Sequence, residues 1–357
     1  EGVGAPPDAT IRAVSGPRLA LFLLALTGVI GVSDAPAEAR DAMRDGQLLS
    51  REACTMTGSG YGEYRQRTAD QWRKDEAAAR DLGLAIRPLD QFLAALPSEP
   101  EYLVRKAFEG FQCERLVYAS DGLRVVAYLW RPLQLSPSSG RLPLILFNRG
   151  GYGEEFKLRP NTWFGFYNYL RAGYAVLGSQ YRGNDGGEGR DELAGADVRD
   201  VLNLIPLSRD LGFPDDSRRY AIGFSRGALM TLKAMRQGLS VRAAALVGAP
   251  ADLTGILAQP QARALFAQRI PGFDADPEAA LRERSPLLYI DAVRRPLLIL
   301  HGTADSMVPA RDALRLTDAL LQRNAPVSLV LFDGDTHGTA LNGAERDRRI
   351  LAWFAEH

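Results

Sequence analysis

The sequence predicts an α/β fold in which about eight strands form a mostly parallel sheet flanked by helices. Short apolar runs recur at wide spacing along the chain, and helical stretches lie between them. Runs that are apolar throughout, rather than alternating, are typical of strands buried on both faces of a sheet. Regular alternation of strands and helices favours parallel pairing through right-handed crossovers.

The predicted strands begin with a hairpin. Residues 113–118 and 124–130 are two β-type runs joined by Ala-Ser-Asp-Gly, a sequence typical of tight antiparallel turns. Helices are predicted farther along, for example at 228–237, where Gly238 ends the helix, and at 310–323. The six remaining strands are predicted in the apolar runs 143–147, 174–177, 220–224, 243–247, 296–300 and 327–332.

Residues 1–37 are expected to form a secretory signal peptide. Arg12 and Arg18 precede the apolar stretch 19–32, which is shorter than the roughly 20 residues that a membrane-spanning helix needs. Residues 33–37 then end in a small-x-small pattern that suits signal peptidase. Cleavage would give an exported protein, periplasmic or secreted, that has no membrane partner. A buried N-terminal helix or an uncleaved anchor is the alternative.

Three further segments complete the predicted organisation. Residues 38–112 are predicted as an N-terminal helical segment, with one or two surface helices over 63–95, and residues 113–357 as the main domain. Within that domain, residues 253–294 place several prolines among helical pieces and form either a small lid or an enlarged crossover.

The chain has two cysteines, Cys54 and Cys113. In an exported protein they could oxidise to one disulfide that ties the N-terminal segment to the main domain. The sequence does not show that their α-carbons come within bonding range, so the bridge stays open.

Charge and composition argue against several classes of function. The chain has 43 Lys and Arg residues and 43 Asp and Glu residues, so no overall field attracts nucleic acid. Its two cysteines and three histidines are too few and too scattered for a structural zinc site. No predicted strand is followed by Gly-x-Gly-x-x-Gly, the dinucleotide-binding pattern. We therefore expect no nucleic-acid partner, metal or other cofactor.

A candidate nucleophile follows the strand predicted at 220–224. Residues 223–227 read Gly-Phe-Ser-Arg-Gly, a Gly-x-Ser-x-Gly motif between a buried strand and a helix. The serine has to occupy a strained turn that exposes its hydroxyl, and bulky residues two positions away would collide with the strand or the helix. The motif in this context predicts an α/β-hydrolase fold with Ser225 as the nucleophile.

Two other predicted strands end in groups that complete a catalytic triad. A neutral serine needs an adjacent base, which in turn needs an orienting carboxylate. Asp305 and His337 follow the strands at 296–300 and 327–332, and the order Ser, Asp, His is the one this fold uses. His301 is expected to be a hydrogen-bonded structural residue at a strand end, and His357 is the terminal residue.

Other carboxylates compete with Asp305 as the acid. Asp252 follows the preceding strand and remains an alternative. Asp333 and Asp335 are too close in sequence to His337 to approach its imidazole easily from behind.

Acyl transfer also requires hydrogen-bond donors for the developing oxyanion. The backbone N–H of Arg226, directly after the nucleophile, is the first candidate, and the helix N-terminus adds positive potential. The N–H of Gly151, in the glycine-rich loop 148–153, is the second, because paired glycines allow close approach of substrate to the backbone. The alternative for this loop is a plain glycine-rich turn.

Taken together, these blocks resemble the catalytic domain of the prolyl oligopeptidase family of serine peptidases, from about Val117 to Phe354. This resemblance implies the same triad. The blocks that carry it are Gln180-Tyr-Arg-Gly183 with the Gly-Asp-Glu-rich loop after it, Gly-Phe-Ser-Arg-Gly, Arg284-Ser-Pro-Leu-Leu-Tyr289 and the stretch from Pro296 to Asp305 and on to His337.

This sequence departs from the family in two ways that bear on substrate class. Some members supply an oxyanion-hole tyrosine just before the glycine pair, where this chain has Arg149 and is more similar to relatives with His-Gly-Gly-Pro. We also expect no β-propeller ahead of the sheet, unlike in those members of the family that have one.

Several side chains near the strand ends are candidates for a substrate pocket. If two of the arginines among them face Ser225, they would bind a substrate carboxylate or a peptide carbonyl. The alternative for each is a solvated or salt-bridged loop residue. The candidates are Arg149, Tyr152, Tyr181, Arg182 and Arg226.

The sequence therefore predicts a serine hydrolase that cleaves amide or ester bonds through an acyl-enzyme. The resemblance favours a peptidase acting on small peptides, and a carboxylesterase acting on small or carbohydrate esters is the nearest alternative. A non-catalytic hydrolase-fold binding protein is disfavoured because no triad member is missing.

Overall fold

The structure, a computed structural model, describes residues 43–55, 60–81, 83–133, 141–154, 156–258 and 260–357. The expected signal peptide, residues 1–37, lies outside these ranges.

Nine strands in the described part of the chain form one sheet, in the order β1-β2-β3-β5-β4-β6-β7-β8-β9. From β5 to β9 all neighbours are parallel, whereas β1 to β3 and the β3–β5 contact are antiparallel. The predicted mainly parallel sheet with an antiparallel start is confirmed. The strands are β1 (Leu48–Ala53), β2 (Phe111–Ser120), β3 (Leu123–Pro132), β4 (Leu142–Asn148), β5 (Ala175–Ser179), β6 (Pro214–Phe224), β7 (Ala243–Val247), β8 (Leu297–Gly302) and β9 (Val327–Phe332).

Helices cover both faces of the sheet, and three of them lie in the N-terminal segment. They are α1 (Tyr61–Asp81), α2 (Leu89–Ala95), α3 (Glu99–Lys106), α4 (Trp163–Arg171), α5 (Val198–Leu202), α6 (Leu204–Asp210), α7 (Arg226–Arg236), α8 (Pro260–Arg269), α9 (Pro277–Arg284), α10 (Arg311–Leu321) and α11 (Gly343–Glu356). Within the described ranges, none of them combines the length and the apolarity that crossing a bilayer requires.

Strand β1 is a correction to the sequence analysis, which assigned residues 38–112 to helices only. Its sequence, Leu-Leu-Ser-Arg-Glu-Ala, lacks the alternation and the β-branched residues that mark a strand. It pairs antiparallel with β2, for example Arg51 with Leu116, and Arg51 also forms an ion pair with Glu114 at 2.5 Å. The strand therefore depends on a partner that is far away in sequence.

The hairpin between β2 and β3 forms as predicted. Ser120 pairs with Leu123 across the turn, and Asp121 and Gly122 both have positive φ, 50° and 72°. Such a two-residue turn matches the twist of the flanking strands and favours Asp-Gly.

Two apolar cores lie on opposite faces of the sheet, because successive side chains of a strand point to opposite sides. On β4, Leu144 and Leu146 join the core beneath α5, α6, α7 and α10. Ile145, between them, joins the core beneath α4 and α11, which includes Phe354. Burial on both faces accounts for the uniformly apolar strands.

The N-terminal segment is attached to the domain both covalently and through packing. Cys54 and Cys113 form a disulfide with their α-carbons 5.3 Å apart, which resolves the question left open above. Tyr64 of α1 and Tyr102 of α3 contact Phe164 of α4, with ring centroids 5.5 and 5.1 Å apart.

Residues 253–294 contain α8, α9 and four short 3₁₀ turns in their described part. Phe273, Leu281 and Ile290 are buried in the first apolar core, so this segment is packed on the domain over much of its length. This arrangement favours the enlarged crossover over a loosely attached lid.

Candidate active site

Ser225 forms the sharp turn between β6 and α7. Its backbone has φ 52° and ψ −121°, which a residue with a side chain adopts only under strain. Its N–H donates to the carbonyl oxygen of Val247 on the neighbouring strand at 2.8 Å. This strand–turn–helix geometry is that of a nucleophile elbow.

Close backbone contacts require the two glycines of the motif. A Cβ on Gly227 would lie 1.8 Å from the carbonyl oxygen of Asn148, and one on Gly223 would lie 2.5 Å from the carbonyl oxygen of Gly227. The spacing of the motif is therefore imposed by the crossing of strand and helix.

Asp305 lies just past the end of β8, and its carboxylate is buried and fully hydrogen-bonded. Oδ1 accepts from the N–H groups of Met307 and Val308 at 2.9 and 2.8 Å. Oδ2 accepts from Nδ1 of His337 at 2.7 Å. Burial raises the pKa of Asp305, but hydrogen bonds from His301 and His337 outweigh it and bring the pKa down to about 2. The carboxylate is therefore ionised at neutral pH and holds His337 with Nδ1 protonated.

The other ring nitrogen of His337, Nε2, remains available for proton transfer. Nε2 is buried and has no hydrogen-bond partner among the residues that the structure describes. The ring packs against Gly248, where a Cβ would lie 3.0 Å from Nδ1 and Cε1. Gly248 directly follows Val247, which accepts the N–H of Ser225, so Ser225 and His337 lie at the same strand end. Nε2 thus has no competing partner among the described residues and is free to accept a proton at this strand end.

The competing carboxylates have other partners. Asp335 accepts from the backbone N–H groups of Leu341 and Asn342 and so shapes the loop that carries His337. The side chain of Asp333 is 89% exposed. Asp252 accepts from Thr254 and pairs with Arg315.

His301 is a hydrogen-bonded structural residue, and one of its partners is the acid itself. Its Nε2 lies 3.0 Å from Oδ2 of Asp305 and 2.9 Å from the carbonyl oxygen of Val308. Asp305 thus accepts from two imidazoles at one oxygen. In the sequence, the only signal of this contact is the spacing of four residues between His301 and Asp305.

The glycine-rich loop after β4 lies against the elbow. A Cβ on Gly150 would lie 3.3 Å from the Cβ of Ser225, and Gly151 has a φ of 63°. Within the described ranges, the backbone N–H groups of Gly151 and Arg226 donate to no backbone acceptor. Both predicted oxyanion donors therefore belong to segments that meet at Ser225.

The predicted substrate-pocket arginines are committed to interactions inside the protein. Arg182 is 6% exposed and pairs with Asp200 at 2.8 Å. Arg149 is 2% exposed and donates to the carbonyl oxygen of Gln180 at 2.8 Å. Arg226 is 7% exposed and is bound by two carboxylates. The structure thus supports the alternative for all three arginines: they are bound to other groups of the protein and do not face a substrate.

The two predicted tyrosines differ. Tyr181 is fully buried, and its hydroxyl donates to the carbonyl oxygen of Arg149 at 3.0 Å. It therefore supports the glycine-rich loop from within the protein. Tyr152 is 38% exposed and follows Gly151 directly, with its ring 5.9 Å from that of Phe156. A contact of Tyr152 with substrate stays a prediction.

The N-terminal segment reaches the loop that carries His337. The N–H of Arg87 donates to the carbonyl oxygen of Gly334 at 3.1 Å, and its guanidinium donates to the carbonyl oxygen of Asp333 at 3.1 Å. Burial raises the pKa of Asp75 on α1, while Thr336 and the charge of His337 act to lower it. No sequence signal pointed to this contact.

Comparison with known proteins agrees with this geometry. The model of the prolyl oligopeptidase family matches residues 163–357, more than half of the chain. The chain belongs to this family. As a member of a family of serine peptidases with the α/β-hydrolase fold, it is a serine hydrolase, and the resemblance stated above is confirmed.

Individual relatives cover different shares of this family member. The uncharacterized peptidase YtmA of Bacillus subtilis is 28% identical over 62% of the chain and 84% of its own length. The acylamino-acid-releasing enzyme of Sus scrofa is 28% identical, over 69% of the chain but only 35% of the relative. A solved puromycin-hydrolyzing peptidase from Mycobacterium tuberculosis is 26% identical with a TM-score of 0.58, covering 66% of this chain and 37% of that one. The chain thus spans about a third of the longer relatives.

Proposed function

We propose that this family member is a serine peptidase that cleaves small peptides through an acyl-enzyme, with Ser225 as nucleophile, His337 as base and Asp305 as the orienting acid. The observation that carries the proposal is the Asp305–His337 pair. The imidazole is held at Nδ1 at 2.7 Å, and its buried Nε2 is without a partner among the described residues, beside the strand end that carries the serine.

The proposed chemistry has two balanced steps. In the first, Nε2 of His337 accepts the proton of the Ser225 hydroxyl as Oγ attacks the substrate carbonyl, and the imidazolium then gives that proton to the leaving amine. In the second, water loses a proton to Nε2 and attacks the acyl-enzyme, and that proton returns to Ser225. Asp305, ionised at neutral pH, stabilises the imidazolium in both steps.

The developing oxyanion is proposed to be bound by the N–H groups of Arg226 and Gly151. Donors fixed in place before reaction stabilise this charge without a reorganisation cost. The contact between Gly150 and Ser225 supports this assignment, because it places the glycine-rich loop beside the nucleophile.

A carboxylesterase is the second candidate. The relatives named above are peptidases, and this favours amide substrates. However, Arg149 and Arg182, which could have anchored a peptide terminus, are bound to protein groups instead. The same triad chemistry serves esters, whose leaving groups need no such anchor.

Export of the protein is also proposed. The signal-like residues 1–37 motivate it, and the disulfide between Cys54 and Cys113 supports it, since disulfides persist mainly in oxidising compartments. Expression of the full chain in a bacterial host, followed by fractionation, tests it. Recovery of an uncleaved and reduced protein from the cytoplasm would count against export.

The catalytic proposal is tested with Ser225→Ala. We expect kcat to fall by at least about 10⁴-fold and fluorophosphonate labelling to disappear, because the nucleophile is lost. Ser208→Ala is the matched control, since Ser208 is a buried serine that donates to the carbonyl oxygen of Ile205 in α6. Retained labelling of Ser225→Ala would contradict the proposal.

The substrate class is tested separately. Turnover of p-nitrophenyl acetate is compared with that of aminoacyl and Xaa-Pro anilides, using the same enzyme preparation. A peptidase gives measurable kcat/KM on at least one anilide that Ser225→Ala abolishes. Ester turnover with no anilide cleavage would select the carboxylesterase.

A further inference from the structure

We propose that the side chain of Arg226 is a positioning residue for the oxyanion hole, and that Arg149 assists it. This inference rests on the proposed function, because it explains how the donors of that site are held. The guanidinium of Arg226 is directed into the protein interior, away from the reacting atoms. There its hydrogen bonds connect the nucleophile elbow to the glycine-rich loop.

The contacts of Arg226 join three segments. Nη1 donates to the carbonyl oxygen of Gly151 at 3.0 Å and to Oδ2 of Asp191 at 2.9 Å. Nη2 donates to Oδ1 of Asp191 at 2.7 Å and to Oδ2 of Asp197. The backbone N–H of the same residue is one proposed oxyanion donor. Arg226 therefore supplies a donor and also binds the loop that carries the other one.

The bonded carbonyls set the direction of the loop's N–H groups. A trans peptide is planar, so its C=O and N–H point in opposite directions. The bond from Arg226 to the Gly151 carbonyl fixes the peptide between Gly151 and Tyr152. Nη1 of Arg149 lies 3.3 Å from the carbonyl oxygen of Gly150 and so fixes the preceding peptide, which carries the N–H of Gly151. Two guanidiniums thus orient two consecutive peptides.

Tyr181 contacts both of these guanidiniums. The Cζ atoms of Arg149 and Arg226 lie 4.9 and 4.6 Å from the centre of its ring. Cation–π contact of this kind is worth most where water is excluded, and Tyr181 is fully buried. The ring therefore contacts both cations while its hydroxyl donates to the carbonyl oxygen of Arg149 in the loop.

Two buried carboxylates balance the charge. The side chains of Asp191 and Asp197 are 1% and 0% exposed, and together with Arg149 and Arg226 they make a neutral cluster. Their loop includes Leu193 and Ala194 with φ of 52° and 67°, and its N–H groups donate back to the same carboxylates. Within the described residues, Nε of both arginines and Oδ1 of Asp197 have no partner, but the other hydrogen bonds hold the cluster in place. A preorganised oxyanion hole requires such support.

The test uses Arg226→Lys, which keeps the charge but has only three donor hydrogens on one atom and cannot reproduce the four hydrogen bonds of the guanidinium. We expect kcat to fall by about 10- to 100-fold with KM changed less than about threefold, since a donor misplaced by about 1 Å costs rate rather than binding. Affinity for a peptide boronic acid, which forms an anionic tetrahedral adduct on the serine, should fall by the same factor as kcat/KM.

Loss of a buried cation also strands its carboxylates, so a second variant separates folding from positioning. Arg226→Met combined with Asp191→Asn keeps the cluster neutral without the guanidinium. It should have a higher Tm than Arg226→Met alone, yet show the same loss of kcat. Arg219→Met is the matched control, because Arg219 is a buried arginine earlier on β6 that donates to Asp216 at 3.1 Å. It should lower Tm and leave kcat unchanged.

Wild-type kcat and boronate affinity in either folded Arg226 variant would overturn the inference, and so would an equal kcat loss in Arg219→Met. If Ser225→Ala is inactive while the Arg226 variants match the wild type, only this inference fails. If Ser225→Ala still turns over substrate, both the proposed function and this inference fail.

Discussion

The Nε2 atom of His301 lies 3.0 Å from Oδ2 of Asp305. This oxygen is also the one that accepts Nδ1 of His337 at 2.7 Å. The two imidazoles therefore approach one carboxylate oxygen, and the other oxygen is bound by two backbone N–H groups. The acid of the proposed triad is thus oriented by four donors, and its direction toward His337 depends on all of them.

The three histidines should differ sharply in their effect on rate. His337→Ala removes the base and should lower kcat by about 10⁴-fold. His301→Leu removes one support of Asp305 and should lower kcat by about tenfold, as expected for one hydrogen bond to a charged group. His357→Ala, at the chain terminus, is the control and should leave kcat unchanged. A larger loss in His301→Leu than in His337→Ala would reverse the assignment of the base.

Asp305 should contribute stability that is lost in acid. Its pKa in the folded protein is about 2, below the ordinary value of about 3.9, so its contribution is present above about pH 4 and disappears as the pH falls toward 2. We expect the difference in free energy of unfolding between the wild type and Asp305→Asn to shrink by about 2 kcal/mol over this range.

Denaturant unfolding at a series of pH values measures this difference. Asp333→Asn is the control, because its side chain is 89% exposed and its replacement should hardly change the free energy of unfolding. A constant difference for Asp305→Asn between pH 4 and pH 2 would show that its carboxylate is not held in the charged form.

The disulfide should matter for stability and not for rate. Cys54 and Cys113 are 59 residues apart, and closing a loop of that length in the unfolded chain is worth about 4 kcal/mol. The variant with Cys54→Ser and Cys113→Ser should therefore unfold at lower denaturant concentration while keeping kcat within about twofold. Dithiothreitol should destabilise the wild type and leave the double variant unaffected. If kcat falls in the double variant, β1 and the N-terminal segment support the site more directly than proposed.

Replacing two helical glycines by alanine should change the stability of the protein in opposite directions. Gly227→Ala places a Cβ against the carbonyl oxygen of Asn148 and should cost about 3 kcal/mol or more, or prevent folding. Gly165, in α4, is exposed with no atom within 4 Å of the added Cβ, so Gly165→Ala should stabilise the protein by about 0.5–1 kcal/mol. Soluble expression and denaturant midpoints measure both. Equal stability of the two variants would mean that the elbow relaxes more easily than its contacts indicate.

Elements with a local signal were predictable. The hairpin at Asp121-Gly122, the buried strands and the elbow at Ser225 each follow from residues adjacent in sequence, because turn chemistry, burial on two faces and a steric motif act over a few positions. Helix α3 also had such a signal, the Ser98–Glu101 capping box, which the sequence analysis passed over.

Contacts between distant segments were not predictable in this way. Strand β1 needs β2 as a partner, and Arg87 reaches Gly334 from the other end of the chain. The arginines show the same limit. From the sequence, Arg149 and Arg182 could equally face a substrate or a buried carboxylate, and only the folded loops decide between the two.

The sequence by itself determined the order and identity of Ser225, Asp305 and His337, because each follows a strand whose buried character is visible in its composition. Only the tertiary structure decided how these groups are held: the second imidazole on Asp305, and the guanidinium of Arg226 between the elbow and Gly151. The physical reason is the separation along the chain over which each interaction acts. Strand and turn preferences act along the chain, whereas hydrogen bonds and ion pairs between loops exist only once the sheet has brought the strand ends together.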